Sequence, residues 1–264
     1  MPETPTTSAA VPAELPRGES PLVVADHGTH VLATLDRPEK RNAIDRELIE
    51  ALHALCDKLE RTPQTLILFG AGGNFAAGAD IQQLLERRGP DALSGINTQA
   101  FMRVAALPMP VIAVLDGYAL GGGAELAYAA DIRVGTTALR VGNPETGFGI
   151  LAGAGASWRL RDLVGESLAS EMLLAGRILD GEAALAAGLI THLHETGDAA
   201  LAAAIEIASS IAELDPQATR ATKRVLRAPR DAHPAIDLAE QARLFDSEEK
   251  TRRMTAFLNR KRRQ

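Results

Sequence analysis

A chain of 264 residues is long enough for one sizeable core, or for a core with a smaller appendage. Its 46% hydrophobic and 23% charged residues match a soluble globular protein, and 3% aromatics leave Ala, Leu, Ile and Val to build the interior. A net charge of −6 argues against a general nucleic-acid binder, the single Cys56 excludes an intrachain disulfide, and no run of about 18 apolar residues offers a membrane span.

In chain order, residues 1–20 are rich in Pro, Thr and Glu and lack the apolar centre of a secretory signal and the Arg-rich look of a transit peptide. They read as a disordered tail on a cytoplasmic protein. Leu22–Ala25 and Thr29–Leu35 predict strands around a turn at Asp26-His27-Gly28. Asp45–Arg61 has helical periodicity through Leu48, Leu52, Leu55 and Leu59, with Pro63 as a stop. Cys56 lies in this apolar stretch and is expected as a buried structural thiol. Thr65–Phe69 predicts a strand, Asp80–Arg87 a helix in which Asp80 caps, and Leu93–Ala106 a further helix.

Val111–Leu115 reads as a buried strand, and Gly121-Gly122-Gly123 opens a helix to about Ala130. Ile132–Val134 and Ala138–Val141 predict strands, with Asp131 in a structural role. Asn143-Pro144-Glu145 resembles a helix start, with Asn as cap and Pro at the first helical position. Helices dominate beyond Ala156. The pattern is therefore strand and helix over residues 21–196, then an all-helical region over 197–264. His192 and His194 share one face of a strand, but no third ligand is near in sequence, so no metal is expected.

Two glycine-rich turns lead into helices: Ala76-Ala77-Gly78-Ala79-Asp80 and Leu120-Gly121-Gly122-Gly123-Ala124-Glu125. Helix N-termini carry unsatisfied N–H groups and partial positive charge, and glycine lets a ligand approach that backbone. If the two turns face each other, each gives one N–H to a single oxygen, an oxyanion hole. Neither is a P-loop, because no Gly-Lys-Ser/Thr follows, and neither fits the dinucleotide fingerprint. Taken alone, such a loop is most often only a tight turn or a close packing contact, and Glu125 and Glu145 would each be structural more often than catalytic, as acids at helix starts.

Together these segments resemble the crotonase superfamily, the enoyl-CoA hydratase/isomerase family. The resemblance runs through Leu35–Ala43, Asn74–Ile81, Asp116–Ala127, Asn143–Leu160 and Ala175–Leu189 in order. It implies an α/β fold: a crotonase-like spiral of ββα repeats, with a C-terminal helical region for oligomerisation as a homotrimer or a dimer of trimers. It also implies an acyl-CoA thioester as substrate, with no cofactor beyond the coenzyme A that the substrate carries.

Carried over singly, the N–H groups of Ala79 and Gly122 form the oxyanion hole. Glu125 and Glu145, twenty residues apart as in hydratases, are the catalytic acids. Gly153 helps hold the water. Arg37, Lys40, Arg41, Ala43 and Ala77 lie along the coenzyme A, and Phe257 and Lys261 approach the nucleotide of a neighbouring subunit. Where the family commonly has Pro-Gly-Ala-Gly-Gly-Thr-Gln-Arg-Leu, this chain has Ala152-Gly153-Ala154-Gly155-Ala156-Ser157-Trp158-Arg159-Leu160. The implied activity is reversible hydration of a trans-2-enoyl-CoA, as in fatty-acid β-oxidation. A Δ3-Δ2 enoyl-CoA isomerase or other crotonase-type enolate chemistry, and, from another class, a non-catalytic acyl-CoA binder, are the alternatives.

Overall fold

The computed structural model describes residues 20–261. The tail expected over residues 1–20 lies, apart from Ser20, outside the described residues. The strands in chain order are β1 (Leu22–Asp26), β2 (His30–Leu35), β3 (Thr65–Gly70), β4 (Val111–Leu115), β5 (Tyr118–Leu120), β6 (Ile132–Thr136), β7 (Arg140–Gly142), β8 (Leu179–Asp180) and β9 (His192–His194). They form two sheets, ordered β1-β2-β3-β4-β6-β9 and β5-β7-β8. In the larger sheet only β1 runs antiparallel to its neighbour, while β2 to β9 run parallel.

A parallel sheet covered on both faces has to be apolar on both, and all of Val-Ile-Ala-Val-Leu in β4 is buried. Alternate residues separate two cores. Val31, Ala33, Leu66, Leu68, Val111 and Ala113 face the larger one. Leu32, Ile67, Ile112 and Val114 face the other. On the larger side packs α1 (Arg46–Arg61), whose start is fixed by the Asp45 carboxylate accepting from the Leu48 N–H at 2.9 Å. Its apolar stripe buries Leu48, Leu52, Leu55 and Leu59 as the periodicity predicts. Cys56 is buried beside them, and burial pushes its thiol up to about 11, so it is a packing residue.

The other side is closed by α9 (Gly197–Ala212), which lays Ala200, Leu201, Ala204 and Ala208 on Leu32, Ile67, Ile112, Val114 and Val134. The compositional break at residue 197 therefore falls inside the folded body, because the first helix of the expected C-terminal region belongs to the core. Beyond it, α10 (Pro216–Leu226) buries Ala221 and Lys223, while α11 (Ala235–Phe245) and α12 (Glu248–Lys261) bury no side chain fully.

Two further expectations change. The helix expected over residues 93–106 is two, α3 (Gly89–Ser94) and α4 (Ile96–Ala106), because Gly95 between them adopts φ 63° and breaks the hydrogen-bond ladder. The smaller sheet contains β5 and β8, strands of three and two residues, too short to show an alternating pattern.

One anchor ties the C-terminal helices to the core. Asp131 accepts from the Val111 N–H at 2.8 Å and pairs with Lys223 at 2.7 Å and Arg227 at 2.6 Å. Arg227 and Arg133 also donate to the carbonyls of Ala129 and Ala130. Asp131 thus has the structural role expected of it, and the cations satisfy backbone oxygens that a helix end leaves free.

Candidate active site

The two glycine-rich segments, Asn74–Ile81 and Asp116–Ala127, are stitched together by backbone bonds. Phe75 N–H donates to Asp116 O, Ala76 N–H to Tyr118 O, and Leu120 N–H back to Ala76 O, at 2.8 to 3.0 Å. On its other edge the same stretch pairs with Ile44: Ile44 N–H donates to Gly78 O, and Asp80 N–H to Ile44 O. Backbone groups of an extended chain alternate in direction, so the Ala79 N–H points away from Ile44. A Cβ built on Gly122 would lie 3.6 Å from Ala79 N, which brings the two turns face to face. Among the described residues neither the Ala79 nor the Gly122 N–H has an acceptor. Asp80 caps α2 (Ile81–Glu86) through the N–H groups of Gln82 and Gln83, the role expected of it.

The Gly122 N–H opens α5 (Gly122–Ala129), a helix whose eight residues are all buried. It can pack this deeply only because its first two residues, Gly122 and Gly123, lack side chains. A Cβ on Gly123 would stand 2.1 Å from the Ala76 carbonyl oxygen. Gly121, just before the helix, has φ 51°, and a Cβ there would come within 3.1 Å of a Glu145 carboxylate oxygen. Glycine is therefore required at 123 by close approach and at 121 by its positive φ.

Glu125 sits in the first turn of α5 and is 3% exposed. Its Oε1 accepts from Ala154 N–H at 2.6 Å and Ala156 N–H at 3.1 Å. Burial pushes its pKa up to about 7, with Glu145 adding to the rise and the backbone N–H groups opposing it. Glu145 begins a 3-10 turn over Glu145–Phe148, and burial raises its pKa too. Its Oε2 is buried without a hydrogen-bond partner among the described residues. The structure thus brings Glu125, Glu145, Ala79 and Gly122 to one place. Such an arrangement can accept an oxygen between two N–H groups and exchange protons beside it.

Asn143 departs from its expected role. No side chain caps the Glu145 turn, whose leading residue is Pro144. Asn143 is instead buried, accepts from the Tyr128 hydroxyl at 3.0 Å, and turns its amide towards Gly121 O and Glu145 Oε1, each at 3.4 Å. It positions Glu145, and its Asn-Pro context hid that role. The backbone donors to Glu125 were also not foreseen; the unusual run Gly153-Ala154-Gly155-Ala156 was the available signal. Gly153 itself offers its carbonyl to Thr98 Oγ1 at 3.0 Å.

The residues expected along coenzyme A divide. Arg37 is engaged within the fold: its Nη1 is 2.6 Å from Asp45 and donates to Ala43 O at 2.7 Å. Lys40 is half exposed, 3.6 Å from Asp80. Arg41 is exposed, with its guanidinium over the Tyr118 ring at 5.3 Å, and its carbonyl accepts from the Ala77 N–H, joining Leu35–Ala43 to Asn74–Ile81. Ala43 and Ala77 are half-buried. Phe257 and Lys261 pair on α12, the ammonium 5.2 Å above the ring. No hydrogen bond or ion pair among the described residues joins them to the glutamates. Nor do three His, Cys, Asp or Glu side chains gather there as metal ligands.

The chain is similar to known proteins over most of its length. A model of the family described as enoyl-CoA hydratase/isomerase matches residues 27–264. The 2,3-dehydroadipyl-CoA hydratase of Escherichia coli (strain K12) is 34% identical over 251 residues, covering 92% of this chain and 97% of that one. The short-chain-enoyl-CoA hydratase of Clostridium acetobutylicum is 30% identical over 252 residues, covering 91% and 95%. The crystal structure of an enoyl-CoA hydratase from Bacillus anthracis superposes with a TM-score of 0.86 at 27% identity, covering 91% of this chain and 97% of that one.

Proposed function

This chain belongs to the enoyl-CoA hydratase/isomerase family, the crotonase superfamily, and has its α/β fold; from that premise we propose that it reversibly hydrates trans-2-enoyl-CoA thioesters to 3-hydroxyacyl-CoA. The observation that carries the proposal is the meeting of two carboxyls, Glu125 and Glu145, with two acceptor-free N–H groups, Ala79 and Gly122. In this reading the thioester oxygen lies between those N–H groups. Negative charge grows on it as water adds at the β-carbon, and donors fixed in a dry site stabilise that charge without reorganising. Gly153 helps hold the water.

We assign Glu125 as the base: once ionised, it takes a proton from water, and the two backbone N–H groups it accepts from hold that carboxylate in place. Glu145, with a bare Oε2, holds the proton delivered to the α-carbon. Two neighbouring carboxyls do not both ionise cheaply, so the pair keeps one proton near neutrality. We place the thioester's pantetheine along Ala43 and Ala77. Its phosphates lie towards Lys40 and Arg41, because Arg37 is already neutralised by Asp45. The proposed setting is the cytoplasm and fatty-acid β-oxidation. Among the described residues no helix is long and apolar enough to cross a membrane.

The test follows loss of enone absorbance with trans-2-enoyl-CoA of short, medium and long chains. Rapid loss supports hydration and ranks the chains. No loss, together with conversion of a Δ3-enoyl-CoA, replaces the hydratase with an isomerase; binding without either conversion leaves an acyl-CoA binder. A pH profile supplies a second check. Activity requires Glu125 ionised, so kcat/KM rises as pH climbs through about 7. It requires the pair to keep one proton, so the rate falls again at higher pH. A profile flat from pH 5 to 9 would remove the glutamates from the rate-limiting step.

Assembly as a homotrimer or a dimer of trimers is part of the proposal. Phe148, Leu151 and Trp158 on the body and Phe257 and Leu258 on α12 are exposed apolar side chains of the kind that subunit contacts cover. In such an assembly Phe257 and Lys261 would complete a neighbour's nucleotide site. Light scattering should give three or six times the chain mass; a monomer at working concentration rules this out.

A further inference from the structure

The start of α4 faces the site with polar groups that the mechanism above does not use. Asn97, in its first turn, places Nδ2 3.5 Å from where a Cβ on Gly122 would be. The next residue, Thr98, donates to Gly153 O, so this turn touches both halves of the site. Behind Asn97 stands Arg87, which ends α2, its Nη1 donating to Asn97 Oδ1 at 3.1 Å. A guanidinium only donates, so this bond orients the carboxamide: oxygen towards Arg87, NH2 towards Gly122.

Among the described residues the Asn97 NH2 finds no acceptor, and Arg87 has no carboxylate oxygen within 4.0 Å. Arg87 is half-buried. Burial and the charge of Arg46 both lower its pKa, and only Asp91 opposes them. An alkyl chain lying against this wall would strip water from a cation and an amide and return no hydrogen bond. A carboxylate would accept from both, in the charge-assisted geometry that arginine favours.

Resting on the hydratase reading, we propose that Arg87 and Asn97 form an anion-reading wall of the acyl pocket, and that the preferred substrates are short enoyl-CoA thioesters whose acyl group ends in a second carboxylate. Arg87 binds that carboxylate and Asn97 shares it. A pocket built to hydrogen-bond one group rejects the analogue lacking it far more strongly than an apolar pocket rejects an extra methylene.

The experiment uses saturated, unreactive CoA thioesters of four to six acyl carbons, each in a methyl-ended and a carboxylate-ended form. Calorimetry measures their affinities for the full chain and for Arg87→Gln and Asn97→Leu. Wild type should bind the carboxylate-ended form about 100-fold more tightly at one length at least. Arg87→Gln keeps an amide donor for Asn97 Oδ1 while removing the charge, and should bring that ratio close to one; Asn97→Leu should lower it in part. A wild-type preference for the methyl-ended forms overturns the proposal, as does an Arg87→Gln ratio equal to wild type, which would leave Arg87 only joining α2 to α4. Turnover of the matching enoyl-CoAs is read in parallel. Hydration without a carboxylate preference removes the wall and keeps the hydratase; a preference without hydration does the reverse.

Discussion

Replacing Glu145 with Gln lowers kcat for enoyl-CoA hydration by about 10²–10⁴-fold while leaving the affinity for saturated acyl-CoA within a few-fold of wild type. The amide fills the same space and keeps contact with Asn143, but it has no acidic proton for the α-carbon. Glu125→Gln produces a loss of similar size by removing the base. Steady-state kinetics beside a binding titration separate the two quantities; equal losses in both would mean a collapsed pocket. At position 125 the exchange also changes stability, in the opposite direction. Burial lifts the folded-state pKa from 4.5 to about 7. Below the unfolded value both states are protonated and no penalty exists; it grows from there and is complete above the folded value. Glu125→Gln should therefore gain about 3 kcal/mol of stability at pH 8 relative to pH 4. Denaturant melts at the two pH values measure this, and a gain independent of pH would contradict the buried-charge account.

Gly123→Ala should damage both fold and chemistry, although residue 123 carries no functional group. Its Cβ would stand 2.1 Å from Ala76 O, a backbone atom held by Leu120 N–H, so α5 and the Ala76–Ala79 segment have to separate. Overpacking of this kind costs about 1–3 kcal/mol. The same displacement parts the Ala79 and Gly122 N–H groups, and the loss of one oxyanion donor costs about 10²–10³ in kcat. Thermal melts and kinetics on the purified variant check both effects. Gly89→Ala is the control, since its Cβ would meet no heavy atom within 4 Å. Wild-type rates for Gly123→Ala would show that the two turns need not be in contact.

How far the sequence could be read depended on the range of each interaction. Asp45, Asp80 and the stripe through Leu48, Leu52, Leu55 and Leu59 act on backbone within a few residues, and their roles were legible. The alternation that assigns Val31 and Leu32 to different cores is equally local. Glu125, Glu145, Ala79 and Gly122 stood out through family resemblance; geometry then placed them together. The residues whose surroundings stayed hidden have partners outside that range. Asn143 has the sequence context of a helix cap, yet Tyr128 and Gly121 claim it. Arg37 looks available for phosphate until Asp45 folds back on it. Arg87 and Asn97 belong to no motif, and the break at Gly95 that aims Asn97 inward hid within an apparently continuous helix.

The position of α9 has a consequence for the order in which the chain can fold. Strands β2, β3 and β4 are complete by residue 115, but the helix that roofs Leu32, Ile67, Ile112 and Val114 begins only at Gly197. As the polypeptide leaves the ribosome, that side of the sheet stays bare while the intervening segment is made. Distant pairings of this kind slow folding, and uncovered apolar sheet is what nascent chains aggregate through. A product ending just short of α9 would thus be a chaperone client with a half-open interior, and docking of this one alanine-rich helix is the event that seals the protein.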